Sequence, residues 1–546
     1  MRDDLDSRDC SPPTFVKYQG PVFTTFRPMT ESEIHNIIIN APSKSCILDP
    51  LPTSFVKEHI QELVPIITDI VNMSLSTGVV PRDFKQAVIT PLLKKPGLDQ
   101  NILKNYRPVS NLPFISKILE KAVLQQCKVH LFDNNLLEIN QSAYRQNHST
   151  ETAVLSVMGE LLSRADERLV SLVALLDLSA AFDTIDHAIL LERLEHSFGF
   201  RGTVLAWFRS YLTDRIQSVC IDRVNSLPSP LVYGVPQGSV LGPVLFTLYT
   251  QPLSDVIIHH GCSFHKYADD TEISKSTTPE SFSSTKACVQ NCIADILSWM
   301  NSNKLMLNPG KTEAMISGTK LRIGQVDDVS LPIEDSIIPF QPSVKYLGVT
   351  LDQTLTMQNH IGNVCRSTFL ALRRIASIRP FLSTPSTATL VHAYVTSRLD
   401  YCNSILFGLP SEQLTRLQRV QNNAARLVLK KGKRDHITPL LKELHWLPIP
   451  YRIQFKLAIL AFRHFDKSLP PYLSQSLNIY QTSRTLRSSS EKLLKIPKAN
   501  LKSAGDRTFS AAASRVWNSL PPSLRNTPTL SLFKSRLKTH FFHQAF

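Results

Sequence analysis

Apolar residues recur along this chain in two rhythms, mixed through the first two thirds and helical in the last third. Between residues 31 and 75 the apolar positions fall at helical spacing on either side of Asp49-Pro50-Leu51-Pro52, which predicts two helices parted by a turn. The stretch 84–93 (FKQAVITPLL) predicts a strand, followed by the basic turn Lys94-Lys95-Pro96-Gly97. Helical patterns follow at 115–132 and 150–164, and the unbroken apolar run 172–176 predicts a buried strand ending in Asp177. Further helices are expected at 187–197 and 203–212, then a hairpin-like region at 218–233 leading into a Gly/Pro turn at 234–243. A second short strand ends at Tyr267-Ala268-Asp269-Asp270, a helix is expected over about 285–305, and 344–352 is strand-like. Beyond 353 the chain is mostly helical, with proline turns at 448–450, 470–471 and 521–522. Residues 1–30, rich in Pro and Asp, are expected to be frayed or a linker, and the Ser/Thr-rich stretch 482–490 a mobile linker.

Composition narrows the class. With 42% hydrophobic and 19% charged residues over 546 positions, the chain is globular and neither disordered nor fibrous. No run of about 18 apolar residues is present; the best stretch, 63–71, contains Pro65 and Asp69, so no membrane span is expected. Asp3, Asp4, Asp6 and Asp9 are incompatible with a signal peptide, and a soluble intracellular protein is the expectation. The nine cysteines include no CxxC pair, and Cys288 and Cys292, four apart on one helix face, are expected to be core thiols.

Charge is distributed unevenly. Residues 1–352 carry 31 basic and 38 acidic side chains (net −7), whereas residues 353–546 carry 29 and 7 (net +22). The second half is suited to a polyanion, and the first tolerates or needs carboxylates. Within 410–431, Leu414, Leu417, Val420, Ala424, Leu427 and Val428 form an apolar helix face, with Ser411 as candidate N-cap. Arg416, Arg419, Arg426 and Lys430 gather on the opposite face, and phosphate contact is the expected use of such a single-sign stripe.

The candidate chemistry lies in SLVALLDLSAAFDTIDH (171–187) and KYADDT (266–271). Each has an apolar strand with an acid at its end, and alternation along a strand lets Asp177 and Asp269 converge while Asp270 sits on the turn as a neighbouring or outer ligand. Clustered carboxylates repel unless a cation neutralises them. Oxygen-only ligands on rigid strand ends suit Mg²⁺, with Mn²⁺ as a substitute. Two such ions would activate an attacking hydroxyl and stabilise a leaving pyrophosphate.

Together with the Asp177 strand, YADD at 267–270 resembles the palm of reverse transcriptases, and its flanks are similar to those of the non-LTR (LINE-type) retrotransposon enzymes. GVPQGSVLGPVLF (234–246) and LNPGKTE (307–313) resemble the family's third and fourth palm motifs, and KYLGVTLD (345–352) the strand that grips the primer. NYRPVSNLPFISKILEK (105–121) and QSAYRQNHST (141–150) resemble its finger motifs, so the resemblance covers about 78–352 in family order. Viral RNA-dependent RNA polymerases share the palm but usually carry Gly-Asp-Asp.

The resemblance implies an α/β (α+β) right-hand polymerase with fingers, an antiparallel-sheet palm and a helical thumb, plus a mostly α-helical basic C-terminal extension. The implied boundaries are 1–77 for a linker and helical segment, 78–352 for fingers and palm, 353–435 for the thumb and 436–546 for the extension. It implies that Asp177, Asp269 and Asp270 hold the metal, that Lys311 donates a proton to pyrophosphate, and that the Phe182 ring excludes a 2′-hydroxyl. Gln237 and Gly238 would meet the nucleotide, Arg107 with Lys94 or Lys95 the triphosphate, and Gln141 and Arg145 the template. The implied partners are an RNA template, a DNA primer or nicked target DNA, and deoxynucleoside triphosphates, with no membrane. Nucleus and cytoplasm are the implied compartments. Trp446, Tyr451 and Phe455 could stack on bases, but core packing is the plainer expectation. Residues 1–77 are too short for the family's endonuclease, so the chain is expected to be the polymerase half of a longer polyprotein. The rival expectation is a decayed or co-opted copy that binds nucleic acid without polymerising.

Overall fold

The computed structural model describes residues 12–178, 182–334, 336–481 and 492–546, so the linker expected at 482–490 lies outside the described residues. In chain order the longer helices are α1 (Glu31–Ile39), α2 (Ile60–Thr77), α3 (Phe114–Asp133), α4 (Thr150–Asp166), α5 (His187–His196), α6 (Gly202–Leu212) and α7 (Gly242–Thr250). They continue with α8 (Phe282–Ser302), α9 (Gln358–Ile378), α10 (Ser411–Val428), α11 (Ile449–Phe465), α12 (Phe509–Ser519) and α13 (Leu530–Ala545). The strands are β1 (Gln86–Leu93), β2 (Tyr106–Asn111), β3 (Val170–Leu176), β4 (Ile216–Ile221), β5 (Val224–Asn225), β6 (Ser229–Pro230) and β7 (Ser263–Tyr267). After them come β8 (Asp270–Thr277), β9 (Glu313–Ser317), β10 (Ser330–Ile333), β11 (Ser336–Pro339), β12 (Ser343–Tyr346) and β13 (Val349–Asp352). The fold is mixed α/β, and most expected elements appear within a few residues of their predicted bounds. Among the described residues, no helix is long and apolar enough to cross a membrane.

The chain divides into two compact units that interleave in sequence: Met1–Gln141, Asp177–Val256 and Ala294–Asn308 form the first, and Ser142–Leu176, Ile257–Ile293 and Pro309–Phe546 the second. In the first unit β1 pairs antiparallel with β2 and parallel with β4, and β4 also carries β5 and β6. Local chemistry sets the helix ends. Thr30 and Glu33 form a capping box on α1, Asp186 caps α5, and Gly78 closes α2 in the left-handed region. Asp49, read as part of a breaker, accepts the Phe114 amide at 2.6 Å and so anchors the start of α3.

Residues 1–11 lie outside the described residues, but the remainder of the segment before α1, residues 12–30, departs from the frayed linker expected of it. Tyr18 N donates to His196 O at 2.7 Å, Phe23 N to Gly199 O at 2.8 Å, and Arg201 N to Phe23 O at 3.0 Å. The reason lies in its aromatic residues. Phe23 stacks on His130 and meets Phe26 and Phe200 edge-on, and Phe26 in turn meets the buried Trp207. Burying such rings contributes about 1.5–3 kcal/mol each, which outweighs the Pro-rich composition of residues 12–30.

The second unit is built on a four-stranded antiparallel sheet in the order β7-β8-β3-β9. The apolar run of β3 sits second from one edge and is almost wholly buried, as an inner strand requires. Apolar residues of α4, the β12–β13 hairpin and α9 to α13 form one continuous core. The expected strand at 344–352 is a hairpin. Leu347 (φ +44°) and Gly348 (φ +81°) make a two-residue turn, with Tyr346 and Val349 paired across it. α10 has the expected apolar face, but Pro410 rather than Ser411 is its N-cap and no side chain caps it. Trp446 is buried against His392, whereas Tyr451, which donates to Gln544 O at 3.0 Å, and Phe455 are half-buried and pack against the edge of the core. Cys292 is buried and Cys288 half-buried, and no cysteine among the described residues is in a disulfide.

Candidate active site

The register of the second unit's sheet collects several polar residues at one end. Tyr267 pairs with Asp270 across the two-residue turn Ala268-Asp269, and Leu175 of β3 lies between Glu272 of β8 and Glu313 of β9. Asp270 is therefore the first residue of β8 and not a turn residue as the sequence suggested. Ala268 instead takes the strained position, with φ +58°, where glycine would be relaxed. Lys311 ends the short 3-10 turn Pro309–Lys311 just before β9, at the same end of the sheet as the Asp269 turn, and is exposed. Leu176 pairs with Thr271, the neighbour of Asp270, and Asp177 is the next residue in the chain after Leu176.

Beneath this end lies a group that the sequence reading missed. Glu272 is 2% exposed, and burial, with the Glu160 charge adding to it, pushes its carboxyl up to about 8. Burial likewise raises the phenol of Tyr346, which feels both Glu272 and Asp270. Glu272 is therefore largely protonated at neutral pH and itself adds little negative charge to the acids above it.

In the first unit a loop holds the other motif. The Asp177 carbonyl accepts the Asn308 amide at 2.9 Å, and Leu178 bridges to Leu307. Phe182 stacks on Phe246 with ring centroids 4.8 Å apart, and its carbonyl accepts Val235 N at 2.9 Å. Gln237 is fixed at both ends: its carbonyl accepts Ser110 N at 2.8 Å, and its amide nitrogen donates to both carboxylate oxygens of Asp183 at 3.0 Å. With its NH₂ committed to Asp183, Gln237 has its side-chain oxygen left as an acceptor. Surrounding protein raises the Asp183 carboxyl although one side of it is open to solvent; the Gln237 hydrogen bond and the nearby Lys94 charge oppose the shift. Gly238 has φ +132°, and a Cβ there would stand 2.5 Å from Ser110 O, so only glycine fits.

Behind this loop, Glu120 of α3 accepts Val240 N at 2.7 Å and Leu241 N at 3.0 Å. Burial raises its carboxyl, against the pull of those amides and of the buried Arg215. Sequence reasoning missed both Asp183 and Glu120. Glu120 left a trace: it falls at helical spacing with Ser116, Val123 and Cys127 on the buried face of α3, an acid where an apolar residue belongs.

The remaining predicted residues divide by exposure. Lys94 and Lys95 are exposed, with Lys94 Nζ donating to Lys104 O at 2.7 Å, and Arg107 is exposed on β2 opposite Leu92. Of the two residues expected to meet the template, Gln141 is buried and Arg145 half-buried. Arg416, Arg419 and Lys430 are exposed, whereas Arg426 folds back to donate to Asp435 O at 3.0 Å. Among the described residues, no group of three or more His, Cys, Asp or Glu side chains forms a metal cage. The donor chemistry at the sheet end is nonetheless hard oxygen, which suits a divalent ion bound by one or two carboxylates and completed by substrate phosphates and water.

Residues 93–351 match the family model described as reverse transcriptase (RNA-dependent DNA polymerase). The chain is 27% identical over 416 residues to a probable RNA-directed DNA polymerase from transposon BS of Drosophila melanogaster, covering 74% of this chain and 45% of that protein. It is 27% identical over 346 residues to the RNA-directed DNA polymerase from mobile element jockey of the same fly (62% and 36% covered). It is 32% identical over 232 residues to an uncharacterized 149 kDa protein of transposon TX1 of Xenopus laevis (41% and 17% covered). The chain thus spans less than half the length of these curated relatives. Among solved structures it aligns with telomerase from Candida albicans in complex with a fragment of telomeric RNA, at a TM-score of 0.36 and 13% identity over 74% of this chain and 66% of that one, too slight a likeness to weigh. The family match and the retrotransposon relatives agree: residues 93–351 are a reverse transcriptase domain of the non-LTR retrotransposon kind.

Proposed function

We propose that this chain is an RNA-directed DNA polymerase that extends a DNA primer on an RNA template. The observation that carries the reading is the acid turn Asp269-Asp270 beside β3, whose last residue precedes Asp177, within the matched region. Residues 78–352 serve as fingers and palm, 353–435 as thumb and 436–546 as a basic extension along the nucleic acid. Asp177, Asp269 and Asp270 would hold Mg²⁺ or Mn²⁺. When bound, that metal supplies activation of the primer hydroxyl and charge stabilisation at the leaving pyrophosphate.

The chain's own residues do the positioning. The Phe182 ring, held by Phe246, lies under the incoming sugar and leaves no room for a 2′-hydroxyl. Gln237 and the flat backbone at Gly238 face the nucleotide, with the Gln237 side-chain oxygen accepting a sugar hydroxyl. Lys94 and Arg107 meet the triphosphate, with Lys95 adding charge, and Arg145 meets the template. Lys311 donates the proton that the departing pyrophosphate takes up. Arg416, Arg419 and Lys430 run along the duplex phosphates. In such a reaction, positioning and neutralisation supply most of the acceleration.

The test is primer extension by purified protein on RNA annealed to a DNA primer, with Mg²⁺ and deoxynucleotides. Extension by the wild type and a loss of at least about 10³-fold in Asp269→Ala support the reading. Tight binding of primer–template without extension by the wild type would sink it and leave a nucleic-acid-binding protein.

A further inference from the structure

Within the second unit, the β12–β13 hairpin, the start of α9 and the middle of α10 enclose an open cleft of about 400 Å³. Its walls are polar almost throughout. Arg366 of α9 and Arg416 of α10 face it together with Asn359, Asn363, Ser343 and Thr350. Asn363 Nδ2 donates to Thr350 Oγ1 at 3.3 Å, which ties the helix to the hairpin at the cleft's edge. Arg416 lies against bare backbone: a Cβ on Gly362 would stand 3.6 Å from its guanidinium nitrogen.

Two guanidinium groups facing one cleft repel each other unless an anion sits with them. The protein does not supply that anion. Among the described residues, neither Arg366 nor Arg416 is joined to an acid by a hydrogen bond or ion pair. The hairpin's own acid, Asp352, is buried and fully used, accepting the Thr356 amide at 2.8 Å, the Met357 amide at 2.7 Å, and the Thr354 and Thr356 hydroxyls. The cleft offers no aromatic platform for a base, and its donors (the two planar forks of Arg366 and Arg416, the amides of Gln358, Asn359 and Asn363, and the hydroxyls of Ser343 and Thr350) match a tetrahedral oxyanion.

We propose that this cleft seats one phosphodiester of the nucleic-acid backbone, gripped by Arg366 and Arg416 and completed by the amides and hydroxyls around them. The proposal rests on the polymerase reading and deepens it. It ties the primer-side hairpin to the basic helices at a single phosphate, and it singles out Arg416 from the stripe on α10 while adding Arg366, which the stripe does not contain. Arg419 and Lys430 then act as general cationic surface, a weaker and less oriented role.

The test measures binding of a primer–template duplex to the full chain across a salt series. In Arg366→Gln/Arg416→Gln we expect Kd to rise about tenfold or more at moderate salt and the slope of log K against log salt to flatten by about one phosphate's worth. The control Arg168→Gln/Lys320→Gln removes the same charge from exposed positions elsewhere in the unit, outside the thumb and the basic extension. An equal loss in the control, or no loss in the arginine pair, overturns the proposal. Arg366→Lys/Arg416→Lys keeps the charge but removes the planar forks; it is expected to keep the salt slope while weakening binding, and unchanged binding overturns the proposal even if the glutamine pair fails to fold. Calorimetric titration with inorganic phosphate separates the sources: saturable phosphate binding lost in the glutamine pair, with duplex binding intact, would make the cleft a free-anion site and overturn the backbone assignment. Primer extension by the wild type is scored in the same preparation, so failure of the cleft and failure of the polymerase reading remain distinct.

Discussion

The Asp269 turn and the Gln237 loop carry the two motifs most specific to this chain, and they are held in different ways. The turn is fixed by backbone pairing: Tyr267 faces Asp270 and β8 runs on along β3, so the acids stand where the strand register puts them. The loop has no such ladder. Side chains and backbone more than fifty residues away hold it, with Asp183 on the Gln237 amide, Ser110 on its carbonyl and Glu120 on the two amides that follow. A site element held by register is robust to changes elsewhere and sensitive only to its own residues. One held by remote side chains can be broken from a distance without touching the substrate.

The largest effect that separates the two is expected from Glu120→Ala. It strands two amides and the buried Arg215 and should lower unfolding free energy by about 3 kcal/mol, measured by urea titration. It should also raise KM for deoxynucleotide more than it lowers kcat, and Glu120→Gln, which keeps an acceptor, should restore most of both. A fall in stability with an unchanged KM would mean that the carboxylate supports α3 and not the loop.

Next in size is the pH response of the sheet beneath the turn. The folded carboxyl of Glu272 stands at about 8, above its unfolded value of about 4.5, so the unfolded chain binds fewer protons between those limits. Its contribution to stability is whole below about 4.5 and is lost as pH rises through 8. Glu272→Gln should therefore flatten the decline in melting temperature between pH 5 and 8.5, with a gain on the order of a few kcal/mol at the alkaline end. Parallel curves for the variant and wild type would contradict this. The smallest effect tests the turn itself: Ala268→Gly relieves the positive φ and adds flexibility to the unfolded chain, so stability should move by less than about 1 kcal/mol in either direction, with extension rate unchanged within about threefold. A large loss would show that the alanine methyl packs against something the turn needs.

Much of the fold was legible because periodic burial is a local property. β3, β1 and the helices from 114 to 212 follow from apolar spacing alone, and Asp177 and Asp269 from acids at the ends of apolar strands. What was not legible depended on partners distant in sequence. Tyr18, Phe23 and Phe26 sit in a stretch whose composition reads as a linker, and only rings from residues 130 to 207 give them a place to bury. The turn at Leu347-Gly348 was hidden because leucine seldom takes a positive φ. Arg426 looked equivalent to Arg416 on a helical wheel, yet a backbone carbonyl nine residues on captures it, and Arg366, on another helix, fits the same cleft as Arg416.

The interleaving of the two units has a consequence for how the chain is made. The second unit takes its inner strand from residues 170–176 and closes its core with α12 and α13, at the far end of the sequence. Asp166, at the end of α4, waits for the amides of Asn500 and Leu501, more than three hundred residues later. During synthesis the part of α4 that packs on the segment after residue 500, and its terminal acid, stay uncovered until that segment has emerged, a long-range closure of the kind that folds slowly and exposes sticky surface meanwhile. A ribosome that stops short of residue 500 would therefore release a product lacking not a dispensable tail but the lid of its own core.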